Sequence, residues 1–245
     1  MNTEKTIKGS AGLAQALKIQ TGFLSIKRAS LPCPAVYTEK GCALGLLNRA
    51  FAGETLWFSG ENVTCPGAAV NFGFADGLPN VPGGFGHFVS RGRGEGFPPG
   101  ERVKCSPEVG EKMLLGQPQD VMDGYDAIRV KPYAPEDDAD TVTALVTPDQ
   151  LSALIHIFCF RKTGYDDVIA PMVSGCASIF RVPFGELKKE APRAVIGNVD
   201  VFSRSRFAAE TFFFTVSGRD FSQMLTDAGD SVLAARIWKG LEARL

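Results

Sequence analysis

Residues 41–74 read G-C-A-L-G-L-L-N-R-A-F-A-G-E-T-L-W-F-S-G-E-N-V-T-C-P-G-A-A-V-N-F-G-F. Two cysteines frame this stretch: Cys42 opens an amphipathic run, and Cys65 lies in a Cys-Pro-Gly-Ala turn. The apolar spacing after Cys42 predicts a helix, and residues 55–59 predict a short strand before the turn. A helix and a strand therefore alternate between the two thiols.

The same alternation continues along the rest of the chain. Periodicity and capping residues predict further strands at 23–29, 127–132, 141–146, 193–200 and 211–216. They predict helices at 107–115, 149–162, 184–190, 219–225 and 231–245. Residues 76–104 are dense in glycine and proline, with aromatic residues interleaved, and are expected to form an ordered loop that could cover a site. The predicted class is α/β or α+β, a mixed β-sheet with packed helices and this long Gly/Pro-rich loop, in a single domain over residues 1–245.

The composition narrows the classes of partner. The 245 residues carry a formal net charge of -1, which predicts no global attraction to nucleic acid or anionic lipid. The longest apolar runs are too short for a membrane span, and the first residues do not resemble a secretory peptide. A cytoplasmic location is the expectation, and there six cysteines are expected to be reduced, metal-bound or catalytic.

Three cysteines share small neighbours: Cys42, Cys65 and Cys176, the last in V-S-G-C-A-S-I-F. Small residues let backbone amides approach an inorganic group and hydrogen-bond its sulfurs, as iron–sulfur clusters require. The expected arrangement is one site, with these cysteines as ligands of an iron–sulfur cluster or another metal. The sequence contains no C-x-x-C motif, however, and three buried cysteines that act as small hydrophobes are the alternative.

Two pairs of arginines are candidates to bind a small anion. Arg91 and Arg93 flank glycines in the glycine-rich loop, and Arg204 and Arg206 follow a strand predicted to end at Asp200. Exposed amides and guanidinium groups suit a phosphate or a carboxylate. Solvated arginines in a glycine-rich loop and in a surface turn are the alternative.

Several motifs together resemble the prokaryotic family catalogued as "domain of unknown function 169". They cover about residues 40–210 in the same order, and the F-F-F-T-V strand and the Trp238 helix are also similar. The motifs are G-C-A-L-G-L-L, T-C-P-G-A-A-V-N-F-G-F, the loop ending in H-F-V-S-R-G, T-P-D-Q-L-S-A-L, D-D-V-I-A-P-M-V-S-G-C-A-S-I and P-R-A-V-I-G-N-V-D-V-F-S-R.

The resemblance implies that the motif cysteines are Cys42, Cys65 and Cys176, and it transfers no activity. The other three, Cys33, Cys105 and Cys159, fall outside the motifs. No fourth cysteine lies in a matching motif, and residues 195–206 offer only Asp200 and Ser203 as further ligands.

Three functions remain open at this point. The first is a cytoplasmic iron–sulfur or metal-binding protein whose open fourth position binds a small anionic ligand. The second is a metal-free small-molecule-binding protein or thiol-dependent enzyme, with Cys65 or Cys176 as the nucleophile. The third is a structural or partner-binding subunit without catalysis.

Overall fold

A computed structural model describes residues 7–31, 41–77, 83–92 and 99–245. Its strands are β1 (Leu24–Ala29), β2 (Leu56–Ser59), β3 (Ala127–Pro132), β4 (Thr141–Val146), β5 (Val168–Ile169), β6 (Ala194–Gly197) and β7 (Phe212–Ser217). They form a seven-stranded sheet in the order β2-β3-β1-β4-β7-β6-β5. Neighbouring strands are antiparallel, except that β5 and β6 are parallel. This mixed sheet with packed helices confirms the predicted α/β class.

The helices connect and cover these strands. They are α1 (Gly9–Ala16), α2 (Ala43–Phe51), α3 (Pro66–Phe72), α4 (Gly84–Val89), α5 (Pro107–Leu115), α6 (Pro148–Phe158), α7 (Val182–Glu186), α8 (Val201–Arg204), α9 (Gly218–Asp227) and α10 (Trp238–Glu242). A π-helix, Ala177–Arg181, runs directly into α7. Helical geometry is continuous over residues 175–186, which we call the π-bearing helix.

Two apolar cores lie on the two faces of the sheet. One joins α1, α6 and α9 to β4 and β7, and the other joins α2, α3 and the π-bearing helix to β1, β2 and β3. Strand β7 contributes to both, since Phe214 belongs to the first core and Phe213 to the second. Successive residues of a strand point to opposite faces, so a single strand can serve two cores.

The predicted elements with strong signals are confirmed. Strands β3 and β4 and helix α5 have the predicted bounds. Helix α6 begins at the predicted capping box, in which the Thr147 backbone donates to the Gln150 side chain at 2.8 Å. Gln150 also donates to the carbonyl oxygens of Leu17 and Lys18, so this cap ties α6 to the end of α1.

The weaker predictions are corrected. The turn at Cys65 is the start of α3, and part of the glycine-rich loop forms α4. The helix predicted at 184–190 is the buried end of the π-bearing helix, and β6 ends at Gly197, before Asp200. These helices are too short to show a full apolar period, so the sequence signal was weak.

The described residues test three further expectations only in part or not at all. Cys33 and Arg93 lie outside the described residues. Within those residues, no helix is both long enough and apolar enough to span a membrane. The assignment of residues 1–245 to a single domain stays a prediction.

Candidate functional site

Each of the three motif cysteines lies at the start of a helix. Cys42 precedes α2, and Cys65 precedes α3, where Pro66 takes the first helical position. Cys176 lies in the first turn of the π-bearing helix. The first amides of a helix lack partners within it, so all three sulfurs lie beside groups that can donate to a thiolate or a sulfide.

The three thiols lie close enough to act on one another. The backbone N–H of Leu44, in the first turn of α2, donates to the sulfur of Cys176, which places that sulfur beside the helix that Cys42 precedes. Burial raises the pKa of the Cys176 thiol strongly, and the charges of Cys42 and Cys65 raise this pKa further. Each of the three residues retains some exposure to solvent, but the thiol of Cys176 is buried. The structure therefore brings the predicted cysteines close together.

Gly175 permits this close approach. A Cβ atom at this position would lie 2.5 Å from the Cβ of Ser203 and 2.7 Å from the Cδ2 of Leu44. Only glycine leaves room for the π-bearing helix to start between α2 and α8. Packing therefore requires Gly175, in addition to the access for backbone amides that small residues beside a cysteine provide.

A buried carboxylate borders the cluster. Asp200 is 8% exposed and caps α8, with its Oδ1 accepting from the backbone of Phe202 at 3.4 Å. Its Oδ2 accepts from the backbone of Gly175 at 3.2 Å, and its charge contributes to the raised pKa of Cys176. Ser203 donates to the Asp200 carbonyl at 2.9 Å. Both non-cysteine ligand candidates therefore lie beside Cys176.

The floor of the cluster is rigid. Phe72 of α3 packs on Phe180 of the π-helix with 4.4 Å between ring centroids, and on Phe58 of β2 at 5.1 Å. The hydroxyl of Ser174 accepts from the backbone of Ala177 at 3.2 Å and so caps the π-bearing helix. π-Helices are rare and occur often at functional sites, and this one follows Cys176 directly.

A narrow cleft leads to Cys65 from the surface. It is lined by Gly41, Ala43, Leu46, Phe58, Asn62, Val63, Thr64 and Cys65. The turn before Cys65 is held by Asn62, which accepts from Ser59 at 2.9 Å and donates to Trp57 at 2.8 Å. The cleft has a volume of only about 10 Å³, which is about the space of one water molecule.

The four candidate arginines do not form one described cluster. Arg204 donates to the carbonyl oxygens of Asn198, Ala209 and Thr211, and its guanidinium packs over the ring of Phe212. Arg206 is exposed, and its carbonyl oxygen accepts from Asn48, in the second half of α2, at 3.4 Å.

Arg91 lies in a different part of the molecule. It follows α4 and approaches the start of α5, where a hydrogen bond from Ser106 chiefly lowers the pKa of Glu108 and the charge of Arg91 adds to this effect. Its loop is held by His87, whose Nδ1 lies 3.0 Å from the Gly92 carbonyl oxygen. Arg93 cannot be placed, because it lies outside the described residues.

Two other cysteines stand apart from the cluster. Cys159 ends α6 and packs against the core on the opposite face of the sheet, where burial raises its thiol pKa and the charge of Asp167 adds to the effect. Cys105 is exposed just before α5. This placement agrees with the resemblance, which left both outside the motifs.

The donor set suits a thiolate-bound metal, but its spacing is not that of one ion. In the part of the chain that the structure describes, no three His, Cys, Asp or Glu side chains are grouped to hold a single metal ion. Four thiolates around one tetrahedral ion lie about 4 Å apart, because each metal–sulfur bond is about 2.3 Å. A cluster of several irons and sulfides spans more space between the same ligands.

Fold and site together define a mixed α/β protein with three cysteines at converging helix starts. A model of the DUF169 family, described as "Uncharacterised ArCR", matches residues 13–227. The chain belongs to this family, as its motifs predicted. No curated protein and no solved structure is significantly similar to it.

The sequence did not reveal some of the residues that shape the site. The amide of Leu44 and the π-helix carry no signal in residue type. Asp200 was considered only as a possible ligand, whereas its contact with Gly175 also makes it a positioning group. The aspartate before V-F-S-R was nonetheless a detectable signal, since aspartate is a preferred helix cap.

Proposed function

We propose that the protein binds an iron–sulfur cluster, or another thiolate-bound metal centre, through Cys42, Cys65 and Cys176. The observation that carries the proposal is the electrostatic state of Cys176. Burial raises the pKa of its thiol most, and the two other thiols and the carboxylate of Asp200 raise it further. The thiols must lose their protons to bind a metal, and the charge of the bound cation would then offset the negative charge that this brings together.

An iron–sulfur cluster is the first candidate for two reasons. Thiolate ligands select zinc, copper(I) or iron–sulfur clusters over oxygen-loving ions. The amides at the starts of α2 and α3 would supply hydrogen bonds to the sulfurs, which tune the reduction potential of such a centre.

Three protein thiolates leave a fourth position to fill. Asp200 is the nearest further donor, and a small anionic ligand from solution is the alternative, since the cysteines are partly exposed. Arg206 is the better placed of the candidate arginines to orient that anion, because Arg204 is engaged with three carbonyl oxygens. A reducing cytoplasmic location would keep the thiols available for the metal.

The test is metal and sulfide analysis of protein purified without oxygen. We expect broad absorbance at roughly 400 nm with matching iron and acid-labile sulfide. The variants Cys42→Ser, Cys65→Ser and Cys176→Ser should each lose most of the iron and the absorbance. Zinc without sulfide would identify a zinc site on the same residues.

Cys159→Ser and Cys105→Ser are the matched controls. Both remove one thiol, but from positions outside the cluster, so their iron content should equal that of the wild type. Wild-type protein that contains no metal after anaerobic reconstitution would refute the proposal, as would equal metal loss in the control variants.

A metal-free thiol function is the second candidate, because Cys65 is partly exposed just before the start of α3. In this case Cys65 reacts with or binds a small molecule from solution. Iodoacetamide should then label Cys65 alone at one equivalent, and a ligand should block the labelling. Labelling that is slower at Cys65 than at exposed Cys105 would count against this function.

A further inference from the structure

A polar cleft lies at the end of β7 that is farther from the cysteines. The cysteine cluster lies near the first residues of β7, because Gly197 pairs with Phe213 and the loop after β6 leads to Asp200. The cleft lies beyond Ser217, the last residue of β7, and encloses about 500 Å³. Its polar lining includes three basic side chains and three hydroxyl groups: Arg28, Lys189, Arg219, Tyr133, Ser217 and Ser222.

Three aspartates also line the cleft, but each has a cation of its own. The pairs are Asp137 with Lys131 at 2.5 Å, Asp138 with Lys27 at 2.8 Å, and Asp140 with Arg28 at 3.0 Å. Asp137 is further turned inward, with its side chain 4% exposed and one oxygen accepting from the Ala134 backbone at 2.9 Å. The negative charge of these aspartates is therefore matched, and because Asp140 balances the charge of Arg28, the remaining positive charge of the lining comes from Lys189 and Arg219.

Arg28 forms a rigid floor. Its guanidinium lies 4.8 Å from the ring centroid of Tyr125 and 5.1 Å from that of Phe184, and its Nη1 donates to the Val121 carbonyl oxygen at 3.0 Å. Asp140 accepts from both its backbone and its Nε. A guanidinium held in this way loses little entropy when an oxyanion binds, which favours recognition.

Lys189 and Arg219 supply positive charge at the rim. Lys189 shares the carboxylate of Glu186 with Arg193, at 2.7 Å and 2.8 Å, so two cations meet one anion. Arg219 is exposed and donates to the Glu190 carbonyl oxygen at 3.3 Å. These long side chains can turn toward a ligand at small cost.

The start of α9 forms one wall. Ser217 caps this ten-residue helix and accepts from the Asp220 backbone at 3.0 Å. A Cβ atom at Gly218 would lie 2.0 Å from the Ala139 carbonyl oxygen, so glycine holds the helix start against the turn before β4. The Asp220 carboxylate in the first turn accepts from the Ser217 hydroxyl at 2.6 Å, so it offsets part of the helix dipole on the side of Arg219.

We propose that this cleft binds a small oxyanion, a molecule that carries a carboxylate or a phosphate group, through Arg28, Lys189 and Arg219. The site is separate from the cysteine cluster and does not depend on a metal there. Its three basic residues are distant in sequence but share one cleft, and Arg91, Arg204 and Arg206 do not line it.

The test is calorimetric titration of the wild-type protein at constant ionic strength with inorganic phosphate and, separately, with succinate. Saturable binding of phosphate alone would assign a phosphate group, and binding of succinate alone a carboxylate; either supports the proposal. Putrescine, a dication of similar size, should not bind. Arg219→Gln should weaken anion binding about tenfold, the usual effect of removing one charge-assisted hydrogen bond.

Arg236→Gln is the matched control, because it removes the same charge from an exposed position that does not line the cleft. Its affinity for the anion should equal that of the wild type. Lys189→Gln is a second test at the cleft and should also weaken binding. The proposal is overturned if neither anion saturates below about 10 mM, or if Arg236→Gln weakens binding while Arg219→Gln does not.

Discussion

The two ends of the π-bearing helix carry opposite electrostatic arrangements. At its start, Cys176 faces two thiols and the carboxylate of Asp200, and its pKa is raised. At its end, Glu186 is also buried, but Lys189 and Arg193 lie within 2.8 Å of its carboxylate and lower its pKa in spite of the burial. The start of the helix groups three thiols with one carboxylate, and its end pairs one carboxylate with two cations.

This difference separates a structural ion pair from a candidate binding site. An anion that already has its cations gains little from a metal, whereas a cluster of thiols beside a carboxylate can bind a cation once the thiols lose their protons. We therefore expect removal of a charge at the end of the helix to lower the stability of the protein. At the start of the helix, we expect metal binding and high pH to change it.

The largest effect on stability should come from the end of the helix. Glu186→Gln keeps the size of the side chain but leaves Lys189 and Arg193 without their anion, so we expect a loss of about 2–3 kcal/mol at pH 7. Chemical denaturation measures it. Glu190→Gln, at an exposed position four residues later, should change stability by less than about 0.5 kcal/mol.

The pH dependence of stability in the Glu186→Gln variant tests whether the lost charge causes the destabilisation. The pKa of Glu186 is lowered in the folded protein, so its contribution is present above its unfolded value of about 4.3 and is lost as the pH falls through the folded value. The difference between wild type and Glu186→Gln should therefore shrink below about pH 4. A difference that stays constant down to pH 3 would mean that packing, not charge, causes the loss.

A smaller loss should come from the start of the helix. Gly175→Ala adds a methyl group 2.5 Å from Ser203 and 2.7 Å from Leu44, and we expect a cost of about 1–3 kcal/mol together with a lower metal content. Gly45→Ala, inside α2, meets only the Cβ of Cys42 at 3.9 Å and should stabilise the protein by about 0.5–1 kcal/mol. Equal effects from both variants would contradict the proposed close approach.

The sequence predicted the parts of this molecule that local chemistry determines. The strand at 141–146 is β-branched and apolar, and Thr147 with Gln150 forms a capping box, so β4 and the start of α6 follow from neighbouring residues alone. Helix α3 was missed because seven residues show no apolar period, although Pro66 was a usable signal for its start.

Contacts between residues that are distant in the sequence could not be predicted from local chemistry. Arg204 has the residue type of an anion ligand, but the three carbonyl oxygens that occupy it depend on how residues 198–211 fold back. The cleft of Arg28, Lys189 and Arg219 joins three elements that no motif links. The grouping of Cys42, Cys65 and Cys176 was predicted from their shared small neighbours and the family resemblance, and its chemical role stays a prediction.

The alkaline stability of the metal-free protein should depend on Cys176. A raised thiol pKa gives stability that is complete below the unfolded value of about 8.5 and is lost as the pH rises beyond it. The slope for one proton is at most about 1.4 kcal/mol per pH unit. Denaturation of wild type and Cys176→Ser between pH 8 and pH 10 should show a flatter dependence in the variant, and parallel curves would refute it.

The smallest expected effect is a change in the pKa of one cysteine, either Cys176 or Cys159. Asp200→Asn removes one like charge beside Cys176, and its single amide oxygen can keep only one of the two backbone hydrogen bonds that the carboxylate accepts, so the pKa of Cys176 should fall. Asp167→Asn is the matched control, because Asp167 raises the pKa of Cys159 instead. NMR titration of protein labelled at the cysteine Cβ carbons resolves both thiols. Each variant should shift only its own cysteine, and a shift of Cys176 in both would mean that a diffuse field, not a local cluster, sets its protonation.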